Sequence, residues 1–573
     1  GFFQRTFVDP WSFSMSREDT ENVGSLNAVT SRNRLYRLQY GNAAGPQSVG
    51  GAPRFLINLV NALPDWIKNS EFGKGLRTSR LRWNPTQISF SSALTHNVAE
   101  RFVYRVPVEL ASDSTIRPLQ SIQHLWRSAA GVEFRPYSSL SLSANYSSTR
   151  DLQDYGDSTT VGRLLALERR ELAGTNVGFE RDRTLSTALS FAPPVSSWLR
   201  PRLIWTTGFN FHRNPSRSDP VRIEGDTAGA FRVAETISNS RRQEWGAAVD
   251  LARLVRGIAG DSSVVTKLFR GLLPTDLSYA TDLRSGFDRV PFAADLRYHL
   301  AWGGLDEFRR QEGELATSAG ETRTTVVSGG ARLPLSAQVR VSFRDIVNTN
   351  WQRRGDDQTQ MQQLTREWPS ISLTWGYTPP GSVRRVLSSV TAQAQYRVQE
   401  SSRIQPSLGE LAGGSGAPVR TENNTRLFTP SLTVGWWSGI TTSSRITVAT
   451  SEAVTSGNRT ESDRQEWATT LNFAFRPPRS LVRMRNRIQT SLAYSASVLS
   501  VCLLRTDSDE CRTVSDSRRN QLDVRLDTGF SSSVRGGLTF SYIRSEQRHL
   551  SQGLNQIVFT VFGELTLQAG QIR

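Results

Sequence analysis

Apolar and polar positions alternate along most of this chain, and the alternation has a period of two. From Leu140 to Tyr146, Leu140, Leu142, Ala144 and Tyr146 fall on one side, and Ser141, Ser143 and Asn145 fall on the other. A strand turns successive side chains to opposite faces, so this spacing predicts strands. Leu185, Thr187, Leu189 and Phe191 repeat the pattern, as do Leu203, Trp205, Thr207, Phe209 and Phe211 after a Pro-rich turn. Proline cannot donate to a ladder, so Pro193-Pro194, Pro379-Pro380 and Pro477-Pro478 mark strand ends. Polar stretches at 345–366, 399–424 and 450–466 read as long loops on the opposite rim. Two segments depart from the alternation. Apolar residues recur at helical spacing in 53–69 and in 251–273, where Gly257 and Gly260 interrupt them.

So many strands with so little helix raise the problem of unpaired edges, which a closed sheet removes altogether. The expected fold is all-β: one large antiparallel transmembrane β-barrel of roughly 24–26 strands over residues 1–573, at about 22 residues per strand and connection. The strand 335–343 illustrates the expected faces. Leu335, Ala337, Val339, Val341 and Phe343 should meet lipid, and Ser336, Gln338, Arg340, Ser342 and Arg344 the lumen. Arg340, Arg344, Asp523, Arg525 and Asp527 are lumen-lining candidates, because each alternates with apolar residues.

Composition adjusts this picture slightly. Apolar residues make up 37% of the 573, and the mean hydropathy is −0.40. That excludes a helical membrane protein but not a barrel, in which only every second strand residue meets lipid. The net charge of +17 is carried almost wholly by arginine, with lysine only at Lys68, Lys74 and Lys267. The arginines are spread along strands rather than clustered with stacking aromatics, which argues against nucleic acid. Cys502 and Cys511 flank one polar stretch and are the disulfide candidates. Such a bridge would stabilise by about 2–3 kcal/mol and implies an oxidising compartment. The five histidines lack i, i+4 metal-site spacing, and no nucleophile elbow, phosphate loop or dinucleotide fingerprint is present. No enzyme activity, metal or cofactor is therefore expected. The start at Gly1-Phe2-Phe3, without a leader, reads as a piece of a longer precursor.

Specific residues resemble a known family. Arg82–Leu94 with Ala99-Glu100-Arg101, Leu125–Leu152, the hairpin from Ala192-Pro193-Pro194 to Asn210, and Thr236–Ser240 with the stretch to Leu273 are similar to the SprA/Sov family. The likeness is clearest over residues 80–260. It implies an outer-membrane translocon of the type IX secretion system, tied to gliding motility in a diderm bacterium. Such a translocon passes folded cargo with C-terminal signals to the cell surface. The implied partners are outer-membrane lipid, cargo proteins, a PorV-type shuttle and a periplasmic plug, with 251–273 a candidate contact for the last two. The chain is shorter than that family's members and would be a C-terminal portion. The alternatives are an LptD-like lipopolysaccharide inserter, a TonB-dependent receptor, or a soluble adhesin of stacked sandwiches.

Overall fold

The computed structural model describes residues 10–23, 27–42, 65, 85–103, 119–153, 162–163, 171–172, 175–213, 220–222, 231–290, 294–406, 418–455, 458–475, 487–505, 508–529 and 534–565. The fold is all-β, and its long strands make a single 20-stranded antiparallel sheet. The strands run β1 (Trp11–Val23), β2 (Asn27–Asn42), β3 (Gln87–Val103), β4 (Leu119–Tyr137), β5 (Leu140–Asp151), β6 (Phe179–Phe191), β7 (Leu199–His212), β8 (Glu235–Val249), β9 (Leu272–Val290) and β10 (Ser318–Arg332). They continue as β11 (Ala337–Arg354), β12 (Asp357–Tyr377), β13 (Leu387–Gln405), β14 (Val419–Trp436), β15 (Thr441–Thr455), β16 (Asn458–Phe475), β17 (Ile488–Arg505), β18 (Ser508–Gly529), β19 (Val534–Gln547) and β20 (Gln552–Leu565). The chain divides into two compact units. Unit 1 holds 1–247, 279–323 and 349–360, and unit 2 holds 248–278, 324–348 and 361–573.

In unit 1, register turns the local alternation into two continuous faces. One row reads Trp11, Tyr40, Phe90, Ala130, Tyr146, Leu185 and Phe209 across seven consecutive strands. The adjoining row on the other face reads Ser12, Gln39, Ser91, Ala129, Ser147, Thr184 and Asn210. A slip of one residue in any strand would break both rows.

Unit 2 is built the same way. Tyr377, Val390, Val434, Thr442, Leu471, Leu492, Val524, Phe540 and Phe559 face one another in sequence from β12 to β20. Behind them run Gly376, Thr391, Thr433, Ser443, Thr470, Ala493, Asp523, Ser541 and Val558.

Among the described residues the large sheet has 20 strands, and several are longer than the sequence suggested. β12 has 21 residues and β18 has 22. The stretches 345–366 and 450–466 are not loops. β11 runs to Arg354 and β12 starts at Asp357, around Gly355 at φ 62°. Thr455 pairs with Asn458 at the end of β15 and β16. In 399–424 the ladder likewise persists to Gln405 and resumes at Val419. Both faces of these outer segments carry polar residues, so the regular apolar alternation ends while the backbone bonds continue.

Two further expectations change. Leu335 and Ser336 are not strand residues; they form a turn at φ 61° and 62°, with Leu335 84% exposed. The helical pattern of 251–273 resolves into α1 (Leu251–Ala259) and α2 (Val264–Phe269), broken at Gly260, φ 77°, with β9 already begun at Leu272. The helix expected at 53–69 lies outside the described residues.

Hydrogen exchange checks the outer ladders. Amides of Val448–Thr455 and Arg459–Gln465 should be protected to a degree comparable with Leu492–Val498. Exchange there at the rate of an unpaired chain would restore the loop assignment.

Candidate functional site

The five lumen candidates lie on polar faces. Asp523, Arg525 and Asp527 share one face of β18, opposite Leu522, Val524 and Leu526. Arg525 pairs with Asp527 (Nε–Oδ2 2.6 Å) and its guanidinium lies 5.8 Å from the Phe562 ring. Asp523 accepts from Gln521 Nε2 (2.7 Å) and from the Ser541 hydroxyl. Arg525, Asp527, Gln489, Arg535 and Phe562 line a recess of about 530 Å³. Arg340 and Arg344 are both exposed on β11 and lie on its other side from Val339, Val341 and Phe343. These two arginines are not brought to the β18 cluster by any described contact. Cys502 and Cys511 are bonded, with Cα atoms 5.5 Å apart, across the β17–β18 hairpin. They are a structural tie and not part of a reactive centre. Among the described residues no group of three or more His, Cys, Asp or Glu is placed to hold a metal.

The polar face of unit 1 carries a second recess, of about 640 Å³. Ser12, Gln39, Ser89, Ser91, Gly131 and Asn145 are among its lining residues. Small side chains here keep the surface hydrophilic without filling it.

Sequence reasoning missed the most tightly packed region, which is the connection between β9 and β10. Its described part, 294–317, folds onto the apolar face of unit 1. α3 (Leu296–His299) starts where Asp295 accepts the Leu296 N–H, and α4 (Leu305–Arg309) starts where Glu307 accepts the Gly304 N–H. A two-residue turn at Glu312-Gly313, φ 48° and 87°, closes a small hairpin of Arg310-Gln311 and Glu314-Leu315. Positive φ at both central residues is the hairpin geometry that matches strand twist.

Tyr298 and Ala316 are buried against Phe209, Ile237, Phe287, Ala319 and Trp351, and Phe308 and Ala301 against Leu283. Polar groups then fix the position. Arg241 donates from Nη1 to the carbonyls of Ala301 (3.1 Å) and Gly303 (2.7 Å), and lies over the Trp205 and Phe308 rings. The Asn239 amide donates to the Tyr298 carbonyl, and the Ser285 and Tyr298 hydroxyls lie 2.8 Å apart. Arg309 sits 4.9 Å above the Trp351 ring. The signal in the sequence was a mixture: Leu296, Tyr298, Leu300, Leu305 and Phe308 are apolar but follow neither a period of two nor a sustained helical one.

A buried charge network closes the neighbouring strand ends. Arg213, 8% exposed, pairs with Glu235 (3.4 Å) and donates twice to the Glu180 carbonyl, at 3.1 and 2.9 Å. The Glu180 carboxylate accepts from Ser148 (2.8 Å) and from Arg183.

Burial pushes the Tyr298 phenol above its ordinary range, opposed by the Ser285 hydroxyl. It therefore stays protonated at neutral pH. Burial, aided by the Arg183 charge, lowers the His299 pKa against the pull of Asp295 and Glu180. The ring lies 4.1 Å from that of Phe209.

No protein-family model matches this sequence, and no curated protein matches it. Among solved structures, the siderophore receptor PirA from Acinetobacter baumannii is similar at 8% identity, over 92% of this chain and 75% of that one, with a TM-score of 0.24. The likeness is too slight to bear on function.

Two outcomes check the docked connection. Phe308→Ala should cost about 3–5 kcal/mol, read as faster exchange of the 296–309 amides while β1–β5 are unchanged. His299 has a folded pKa below its unfolded value, so its contribution is fully present above about pH 6.5 and declines as the pH falls below that. The same amides should loosen on acidification, and His299→Gln should remove that dependence.

Proposed function

We propose that this chain forms the wall of a protein-export channel in the outer membrane of a diderm bacterium, of the type IX secretion kind. One observation carries the membrane part: register gathers the apolar side chains on one face while leaving many of them uncovered. In unit 1, Trp11, Phe13, Met15, Leu38, Ile88 and Val132 are 37–68% exposed. In unit 2, Ile557, Phe559 and Val561 are 61–69% exposed. An apolar surface of this extent in water would aggregate, whereas a bilayer gives it a solvent. The apolar stretch of β12, Ile371 to Tyr377, and that of β13, Val390 to Val398, are close to the 9–11 residues that a tilted strand needs to cross hydrocarbon. The polar outer ladders would then stand clear of the lipid.

The opposite face would line the conduit. Its charges are neutralised locally, as in the Arg525–Asp527 pair and around Asp523. Such a surface stays hydrated and offers folded cargo few apolar patches to adhere to. The finer assignment to type IX secretion, with cargo bearing C-terminal signals, a PorV-type shuttle and a periplasmic plug, rests on the likeness of residues 80–260 to the SprA/Sov family. The α1–α2 hairpin suits a partner contact, since Ile258, Val264 and Leu268 are 78–80% exposed.

Arginine placed at Val524, within the apolar row, should cost about 2–4 kcal/mol in bilayer-based unfolding, and at Asn520, farther along the same face, about 1 or less. Equal costs would reject the membrane reading. Deleting the gene should abolish surface delivery of proteins with C-terminal secretion domains. Normal delivery with lipopolysaccharide transport lost, or with uptake of an iron chelate lost, would reject the translocon in favour of an inserter or a receptor.

A further inference from the structure

The apolar face of unit 1 is interrupted by a row of arginine and histidine side chains. Arg17 lies opposite Arg34, Arg34 opposite His96, and His96 opposite His124, across four consecutive strands in strict register. The row immediately before it is Met15, Tyr36, Leu94 and Trp126. Like charges directly opposite on neighbouring strands repel, and Arg17 and Arg34 stand so; the His96 and His124 imidazoles continue the row on the next two strands. The next row is Asp19, Arg32, Val98 and Ile122, so the charges beyond the row lie on β1 and β2. Asp19 is bonded to Arg17 (2.6 Å) and also attracts Arg32 and Arg34, so one carboxylate faces three guanidiniums. Arg32 and Arg34 are exposed, and His96 and His124 are half-buried with ring centroids 5.0 Å apart. On β1–β3 of this face Asp19 stands one row farther out than His96, and Glu21 and Glu100 two rows farther out.

We infer that this row, with Arg32, is a binding site for the phosphate of an anionic lipid headgroup. The inference rests on the lipid-facing reading of the apolar face. The order of rows supports it: aromatic Tyr36 and Trp126 sit where a bilayer's interface begins, and the cations follow directly at headgroup depth. A phosphate there would bridge guanidiniums that otherwise repel, through charge-assisted hydrogen bonds from Arg32 and Arg34, with the imidazoles as further donors. Free phosphate offers the same oxygens, but the acyl chains of a lipid also cover the apolar rows beneath, so the site is assigned to lipid.

The test uses the full chain in nanodiscs of phosphatidylcholine doped with phosphatidylglycerol. Lipids retained after transfer to detergent are counted by native mass spectrometry, and a nitroxide on Leu94→Cys reports insertion. The expected result is preferential retention of phosphatidylglycerol, falling on the order of tenfold in the R32Q/R34Q double variant, since each arginine near a membrane surface contributes roughly 1 kcal/mol. H96Q/H124Q should weaken retention less, and all variants should keep the nitroxide in the acyl region. An inserted nitroxide with equal retention of both lipids, or with the preference unchanged in R32Q/R34Q, overturns the headgroup site alone. A nitroxide in water overturns the lipid-facing reading and the site with it. Displacement of phosphatidylglycerol by millimolar inorganic phosphate would assign the row to the free anion instead.

Discussion

Everything in this structure depends on the antiparallel backbone ladder. A strand cannot satisfy its own N–H and C=O groups, so each must be held by a neighbour. Once a ladder forms, side-chain direction follows without further choice, because the period of two is a property of the extended backbone. The chemical character of each face is then decided by register. In unit 1 the seven-strand row from Trp11 to Phe209 is apolar throughout, and the row behind it is polar except at Ala129. The faces are therefore collective: no single strand is amphipathic enough to define a membrane surface or a conduit.

The ladder also explains why the strands outrun their apolar segments. Backbone pairing needs no hydrophobic side chain, and cross-strand ion pairs and hydroxyl contacts serve where water is present. Arg366–Asp345 and Arg459–Glu452 are such pairs at the polar ends of unit 2 and its neighbours. Each is partly exposed and contributes little alone. Their role is to make a polar extension compatible with continued pairing.

The 294–317 connection follows a different rule. It is compact because apolar side chains from five strands converge beneath it, and because Arg241 and Asn239 donate hydrogen bonds to its carbonyls. A short segment with two one-turn helices would not hold this shape in isolation. Its docking turns part of the apolar face into a protein interior, while the rest of that face stays open. The open part is what any membrane reading must account for, and its boundary with the cationic row gives the face a direction as well as a character.

Strand periodicity, the hairpin prolines at 193–194 and 379–380, and the alternation of faces were legible in the sequence, because they depend on residues close along the chain. So was the break at Gly260, where a positive φ suits a residue without a side chain. Strand length was not legible: 345–366 and 450–466 carry polar residues on both faces, and only partners on neighbouring strands show that they are laddered. Leu335 and Ser336 looked like strand by alternation, yet the Leu333 N–H bonds the Ala337 carbonyl and makes them a turn. The candidates Asp523, Arg525 and Asp527 were placed on a polar face by local spacing alone, but their pairing with one another and with Ser541 needed the β18–β19 register. The row Arg17, Arg34, His96 and His124 draws on residues as far apart as 107 positions. Local sequence determined which way each side chain points along its strand; the tertiary structure decided which side chains stand next to each other, because register is set between strands and not within them.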